Sequence, residues 1–293
     1  MAQDPSNVKR SPSAAAEGCR PTPALFQETL CVLECLVPAG ASYDVRCEGL
    51  LGCWREPPYA YFFFAGPTEE KARASLEAVG FRVTGRYELA YAQWQRLPSR
   101  ILDVGPFRIA FGPFDEETLP HLRHLIALNP GLVFGSGMHP TTQLCLRLLG
   151  RVFRPEAMTT VVDLGTGTGV LALAAARLGA RRVVAVDVNP LAVREAAANV
   201  RENGLSRRVF LMVAESLHAI GPFGDLLLMN LEWPGLRAVL ETDGWKRFPW
   251  VLCSGYLHEQ APIVQARFSR THKLQATMAH EGWEASFWAG AAL

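Results

Sequence analysis

Three glycines at alternate positions, Gly165, Gly167 and Gly169, fall in the string VVDLGTGTGV, between an apolar run and an alanine-rich run. Glycine lets the backbone turn sharply and approach a ligand closely, and free amides at a helix start attract an anion. About twenty residues later the next apolar run ends in Asp187, a carboxylate placed to accept hydrogen bonds from both hydroxyls of a ribose. Nicotinamide dinucleotides and S-adenosylmethionine both carry that ribose, so Asp187 alone does not choose between them. The spacing is GxGxG, whereas the dinucleotide fingerprint is GxGxxG. As plain structure, the glycines would make a tight turn and Asp187 would cap the helix that begins near Asn189-Pro190. Glu215 and Ser216 follow the third apolar run, where an adenine edge would lie.

Upstream, NPGLVFGSGMHPTTQLC (Asn129–Cys145) mixes glycines, His139, Pro140, Thr141 and Thr142 at a loop-to-helix junction. A threonine hydroxyl with adjacent amides at a helix start suits a carboxylate ligand; the bland alternative is that Thr141 or Thr142 caps the helix. His139 is expected to order the loop through a hydrogen bond rather than act as a base. Asn230 closes the run DLLLMN and precedes Leu231-Glu232-Trp233-Pro234. Its carbonyl suits an amine proton, and Trp233 suits either a cationic product or the core-facing start of a helix.

The elements that must hold these residues alternate from Thr160 onward. Strand-like TVVDLG, RRVVAVD, RVFLMVA, DLLLMN and WVLCSG are separated by helical VLALAAARLG and PLAVREAAANVRENG, and a helix near His258–Phe268 precedes two final strands. Such alternation means crossover units and a parallel sheet covered on both faces, with ligands at the carboxyl ends of its strands. Earlier in the chain, TLCVLECLVP, YAYFFFAG and FRVTGRYEL read as strands, and PTEEKARASLEAVG as a helix started by proline and ended by glycine. They form a small α+β unit over residues 21–90. A connector with Trp94 leads to RILDVGPFRIAFG, a hairpin turning at Gly105-Pro106, and a helix is expected over Thr141–Phe153.

Bulk properties exclude little else. The chain has 293 residues, 49% apolar and 19% charged, with a net charge of +1. No broad electrostatic footprint for nucleic acid or an anionic membrane is expected, although a local basic patch would not show in the total. No apolar run reaches a membrane span, and the first twenty residues read as a disordered tail without a secretory apolar core, so the cytosol is expected. The cysteines (Cys19, Cys31, Cys35, Cys47, Cys53, Cys145 and Cys253) are scattered without a CxxC pair, so reduced thiols are expected and no metal site is assigned.

The strings FGSGMHPTTQLCL, VVDLGTGTGVLALAAARLGA, VAVDVNPLAV, DLLLMNL, LCSGYLHEQ and EGWEASFWAG resemble the PrmA-type protein methyltransferases, class I S-adenosylmethionine enzymes that modify large-subunit ribosomal protein eleven. The resemblance runs from about Trp94 to the C-terminus and is faint over residues 21–90, where the family has a small substrate-recognition domain. It implies a class I methyltransferase, Rossmann-like α/β fold with a mostly parallel sheet. The divisions are a tail (1–20), the small α+β domain (21–90), a connector and cofactor-covering lead-in (91–140) and the S-adenosylmethionine domain (141–293). It further implies Thr142 at the methionine part of the cofactor, Gly165 and Gly167 as backbone contacts, Asp187 on the ribose, and Asn230 between cofactor and substrate beside Trp233.

The resulting expectation is a monomeric protein N-methyltransferase acting on lysine or α-amino groups of a ribosomal protein, without direct nucleic-acid binding. Asn-x-x-aromatic is also similar to the NPPY-type loop of nucleobase-amine and glutamine methyltransferases, but both prolines are missing. Two further readings stay open: a methyltransferase for a different protein or a small molecule, and a non-catalytic cofactor-binding scaffold.

Overall fold

The small unit is a four-stranded antiparallel sheet, and the reason lies in its strand composition. Strands β1 (Thr29–Leu36), β2 (Leu50–Glu56), β3 (Tyr59–Ala65) and β4 (Arg82–Ala90) pair in the order β2-β3-β1-β4, with helix α1 (Glu69–Ala78) between β3 and β4 in sequence. Apolar residues occupy both faces of β1 and β3, so neither face can stay wet. One face packs Cys31, Leu33, Phe62 and Phe64 against Ala72 and Leu76 of α1. The other packs Leu30, Val32 and Phe63 against Leu132, Val133, Leu191 and Ala192 of the rest of the chain. Strand β2 is not expected from the sequence, because Gly52 interrupts its pattern. A Cβ there would lie 2.6 Å from the Leu191 side chain, so close packing selects glycine.

The structure, a computed structural model, describes residues 29–38, 40–41, 45, 47–56, 58–65, 69–90, 101–112, 124–129, 131–221 and 223–290. The tail expected over 1–20 and the connector containing Trp94 lie outside the described residues, as does Cys19. The hairpin turning at Gly105-Pro106 is β5 (Ile101–Val104) and β6 (Phe107–Phe111), and a short strand not expected from the sequence, β7 (Leu125–Leu128), runs parallel to β6.

From Pro140 the chain builds α2 (Pro140–Val152), β8 (Thr160–Leu164), α3 (Val170–Leu178), β9 (Arg182–Asp187), α4 (Pro190–Glu202) and β10 (Val209–Val213). It continues with β11 (Leu226–Asn230), α5 (Trp233–Glu241), β12 (Trp250–Leu257), α6 (Ala261–Phe268), β13 (His272–His280) and β14 (Trp283–Gly290). The sheet order is β10-β9-β8-β11-β12-β14-β13, with the first five strands parallel and β14 antiparallel to both neighbours. Successive residues feed opposite cores: Val161, Leu226 and Leu228 face the one that contains Leu144 and Leu148 of α2, while Val162, Leu227 and Met229 face Leu236 and Leu240 of α5. Both faces are therefore dry, which explains the unbroken apolar runs. The strand order reverses between β8 and β11, and the crevice at their carboxyl ends is where such sheets bind ligands.

Candidate functional site

The crevice begins at the glycine loop after β8. Gly165, Gly167 and Gly169 have φ of +74°, +54° and +85°, a region that favours glycine. Space demands glycine too: a Cβ on Gly165 would strike the Leu231 side chain, and one on Gly167 the Phe134 carbonyl. Behind the loop, fully buried Asp163 accepts from the Thr166 hydroxyl at 2.7 Å and the Ala172 amide at 3.1 Å, tying the turn to α3. Burial raises its carboxyl to about 7, against those two hydrogen bonds.

The loop's amides depart from expectation. Gly165 and Thr166 donate to Val186, Gly167 to Asp187, Thr168 to Phe134 and Gly169 to Thr166. They do not wait for an anion. The loop instead offers bare Cα surface on which a flat, apolar-faced ligand can lie close.

Asp187 ends β9 with one oxygen 3.0 Å from the Gly167 amide and the other 2.9 Å from the Asn189 amide. Each oxygen keeps a lone pair, so two further donors can be served side by side. Burial raises its pKa, opposed by the amides of Asn189, Gly167 and Val188. The helix cap of α4 is the Asn189 side chain, which accepts from Leu191, and so Asp187 is not that cap.

The lead-in folds over the loop and is fastened at both ends. Thr168 donates its hydroxyl to the Gly135 carbonyl at 2.7 Å and its amide to Phe134 at 3.1 Å. On the other side, Glu195, Asn199 and Asn203 stand one turn apart along α4. Glu195 accepts from the Leu132 amide at 2.9 Å, Asn199 brackets Asn129 through its N–H and C=O at 2.8 and 2.9 Å, and Asn203 does the same for Ala127 at 3.0 and 2.6 Å. This polar stripe serves the backbone from β7 to Leu132 as a neighbouring strand would. Burial pushes the Glu195 carboxyl up to about 7. Gly131 is required because its Cβ would occupy the place of that carboxylate. The sequence carries a signal for the stripe, polar residues at helical spacing on a face otherwise apolar, but helical periodicity alone does not say what that face touches.

His139, not a threonine, caps α2. Its Nδ1 lies 3.3 Å from the Thr141 amide and 2.8 Å from the Thr141 hydroxyl, and burial holds its pKa down. Its ring meets Phe134 and Trp283 edge-on at 5.3 and 5.0 Å. Thr142 is 1% exposed, and its hydroxyl receives the Asn230 Nδ2 at 3.2 Å. That bond orients the Asn230 amide at the end of β11. Thr141 stands on the cavity wall, whereas Thr142 supports it from behind through Asn230.

These parts enclose a cavity of about 680 Å³. Gly165, Gly167, Asp187, Asn230 and Trp233 all line it, as do Glu215 and Glu232. Trp233 opens α5 half-buried, packs against the core and also lines the cavity. Sequence reasoning missed Trp54, Phe134, Leu231 and Trp283 on the same wall; Trp283 sits in the motif EGWEASFWAG, which pointed to it without assigning a role. It also missed Gly255, at φ +97° in a bulge of β12 against β14, where a Cβ would collide with the Leu231 carbonyl. That glycine lets the segment after Asn230 press onto the sheet and shape the cavity floor.

Comparison with known proteins agrees with this geometry. The family model described as ribosomal protein L11 methyltransferase (PrmA) matches residues 103–288. A ribosomal protein L11 methyltransferase of Thermus thermophilus is 33% identical over 224 residues, 74% of this chain and 81% of its own. One from Pelotomaculum thermopropionicum is 44% identical over 142 residues, 48% of this chain and 46% of its own, so the chain spans about half the length of several curated relatives it matches. The crystal structure of a ribosomal protein L11 methylase from Lactobacillus delbrueckii subsp. bulgaricus superposes with a TM-score of 0.58 at 25% identity, covering 66% of this chain and 99% of that one. With a family match over most of its length and the class I methyltransferase sheet beneath the crevice, the chain belongs to the ribosomal protein L11 methyltransferase (PrmA) family.

Proposed function

We propose that the protein transfers methyl groups from S-adenosylmethionine to amino groups, lysine Nζ or an α-amine, of ribosomal protein L11. The observation that carries this reading is one cavity lined by both a strand-end carboxylate with acceptor capacity to spare, Asp187, and an oriented amide, Asn230. The dimensions suit the cofactor, since about 680 Å³ lies within the range of pockets that hold ligands of its size. Asp187 has acceptor capacity for both ribose hydroxyls, the glycine loop gives a close surface, and Val188, 59% exposed on the wall, offers an apolar face for the base. The first amides of α2 are engaged by His139, so what suits the methionine carboxylate there is the positive end of the helix dipole behind Thr141 on the wall.

When bound, S-adenosylmethionine supplies an electrophilic methyl on a sulfonium, open to in-line attack. What remains for the chain is to bring a neutral nitrogen to about 3–3.5 Å from that carbon and hold its lone pair in line. An ammonium must first lose a proton. At pH 7 this costs about 4.6 kcal/mol for lysine and about 1 kcal/mol for an α-amine. The apolar wall formed by Leu231, Trp233 and Trp283 disfavours the charged form and lowers that cost. Because Thr142 holds the Asn230 Nδ2, the Asn230 carbonyl is left to accept an N–H of the amine and aim its lone pair. The aromatic rings then accommodate the methylated cation.

We assign acceptor-protein binding to the small sheet, since Trp54 of β2 reaches the same wall. The test is to incubate the protein with methyl-labelled S-adenosylmethionine and the purified ribosomal proteins. Label is expected on L11 alone, on amine nitrogens; label on another protein, or on none, would overturn the assignment.

A further inference from the structure

At the pole opposite the cavity, the amino-terminal ends of the parallel strands form one rim. Thr160 pairs with Arg182, Val183 donates to the Arg208 carbonyl, and Arg181 and Arg182 both donate to Thr159. The rim continues through Asp225 and Trp250 to Gly290 and His272, because β13 starts beside the end of β14. Seven strands at about 4.8 Å spacing make it roughly 29 Å long.

Cations crowd this rim although the chain carries a net charge of only +1. Arg151, Arg177 and Arg201 lie in the last turns of α2, α3 and α4, where the helix dipole accounts for them. No such reason covers Arg154, Arg181, Arg207 and Arg208, exposed in the connecting turns, or Arg182, exposed at the start of β9. Nor does any of these five form an ion pair with a described residue. Arg208 is near enough to Arg177 to oppose its charge. At the far end Arg270 and Lys273, both exposed, flank a groove of about 630 Å³ that Gln265 and Ser269 also line. The acids along the rim are mostly engaged: Asp225 is taken by the Thr159 hydroxyl and the Thr160 amide, Glu241 at the end of α5 pairs with Arg237 and Asp243 with Lys246, leaving Glu156 and Glu202.

Aromatic surface is interleaved with the charge. Phe210 is 49% exposed two residues after Arg208, whereas the half-buried Trp250 ring is already engaged, stacked on Phe287 and covered by Arg154 at 5.7 Å. Guanidinium groups match phosphate oxygens bidentately, and exposed rings stack on unpaired bases. We propose that this rim is a docking surface for single-stranded RNA, distinct from the methyl-transfer cavity. An open ring beside guanidinium groups suits an unpaired base, which a duplex keeps stacked inside. The polar groove residues Gln265 and Ser269 offer the donor and acceptor that a ribose 2′-hydroxyl requires. The surface departs from the expectation of no nucleic-acid binding, which rested on the whole-chain charge.

The test is fluorescence anisotropy of a labelled uridine 20-mer with the full chain, titrated with salt. The logarithm of affinity should fall linearly with the logarithm of salt, by about 0.7 for each phosphate neutralised. Arg181→Glu with Arg182→Glu, and separately Arg270→Glu with Lys273→Glu, should each weaken binding at least tenfold and flatten that slope, with melting temperature unchanged. As a control on α1 of the small unit, Lys71→Glu should leave RNA binding as it is. The proposal is overturned if the native chain does not bind the 20-mer at low salt, or if both double variants bind like it. It is equally overturned if polyglutamate of matched charge competes as well as RNA, or if a thymidine DNA 20-mer binds as tightly.

Discussion

In the proposed reaction, cofactor recognition turns on Asp187. Both oxygens are half-satisfied by backbone amides, so its geometry survives without ligand, and what a ligand adds is the second donor on each. Asp187→Ala should therefore weaken S-adenosylmethionine by about 1.5–3 kcal/mol, the range for hydrogen bonds to a charged group. Calorimetry showing less than a threefold change would reduce Asp187 to a brace for Gly167 and Asn189. Thr142 offers a second test because its role is relayed. Thr142→Val keeps the volume but removes the acceptor for Asn230, so it should weaken S-adenosylmethionine and its demethylated product alike and slow transfer at saturation. A lowered melting temperature with affinity and turnover intact would make Thr142 a packing residue. Asp187 and Asn230 are legible in the sequence because each ends an apolar run before a loop. His139 as helix cap is half legible: its loop-ordering bond is expected, but threonines are the commoner caps and two of them follow it. The engaged amides of the glycine loop are not legible at all. Their partners, Val186, Phe134 and Asp187, lie on other strands or on the lead-in, and local pattern does not encode that proximity.

Among the elements, α4 and the lead-in form the unit that decides whether the cavity is roofed. The α4 stripe holds the lead-in backbone where no strand is available, and its weakest link is the buried carboxylate of Glu195. That group has a folded pKa raised from 4.5 to about 7, so the folded state holds its proton more tightly than the unfolded chain does. Its contribution to stability is therefore greatest below about pH 4.5 and is lost as pH rises through about 7. Glu195→Gln removes this dependence. Between pH 5 and 8 the melting temperature of the native chain should fall relative to that of the variant. Parallel curves would show that Glu195 does not titrate there. A second variant, Asn199→Ala, strands the Asn129 amide and carbonyl and should cost about 2–3 kcal/mol in denaturant unfolding. An unchanged midpoint would mean that the stripe is incidental. The long alternating elements from Thr160 onward are readable because both sheet faces are dry and each helix ends in a marked way. Strands β2 and β7 are not: one contains Gly52, kept for contact with Leu191, and the other has only four residues, too few to show a strand period.

At the scale of the whole molecule, the small sheet closes one wall of the cavity and covers Leu132, Val133, Leu191 and Ala192. A chain beginning at Tyr91 would expose those residues and lose Trp54, so it should still bind S-adenosylmethionine, more weakly than the full chain, and should not methylate the acceptor protein. Full activity of that shortened chain would remove acceptor recognition from the small sheet. Residue, element and domain all serve one proposed reaction, transfer of a methyl group to an amine of ribosomal protein L11 in the cavity between Asp187 and Asn230. The measurement that tests it most directly is the intact mass of unmethylated L11 after incubation with S-adenosylmethionine and the native chain, the Asn230→Ala variant or no protein. Mass gain in whole methyl groups is expected with the native chain, located by fragmentation to lysine or the α-amine, and its rate should drop at least tenfold with Asn230→Ala. No gain with the native chain, or an equal gain with the variant, would contradict the account.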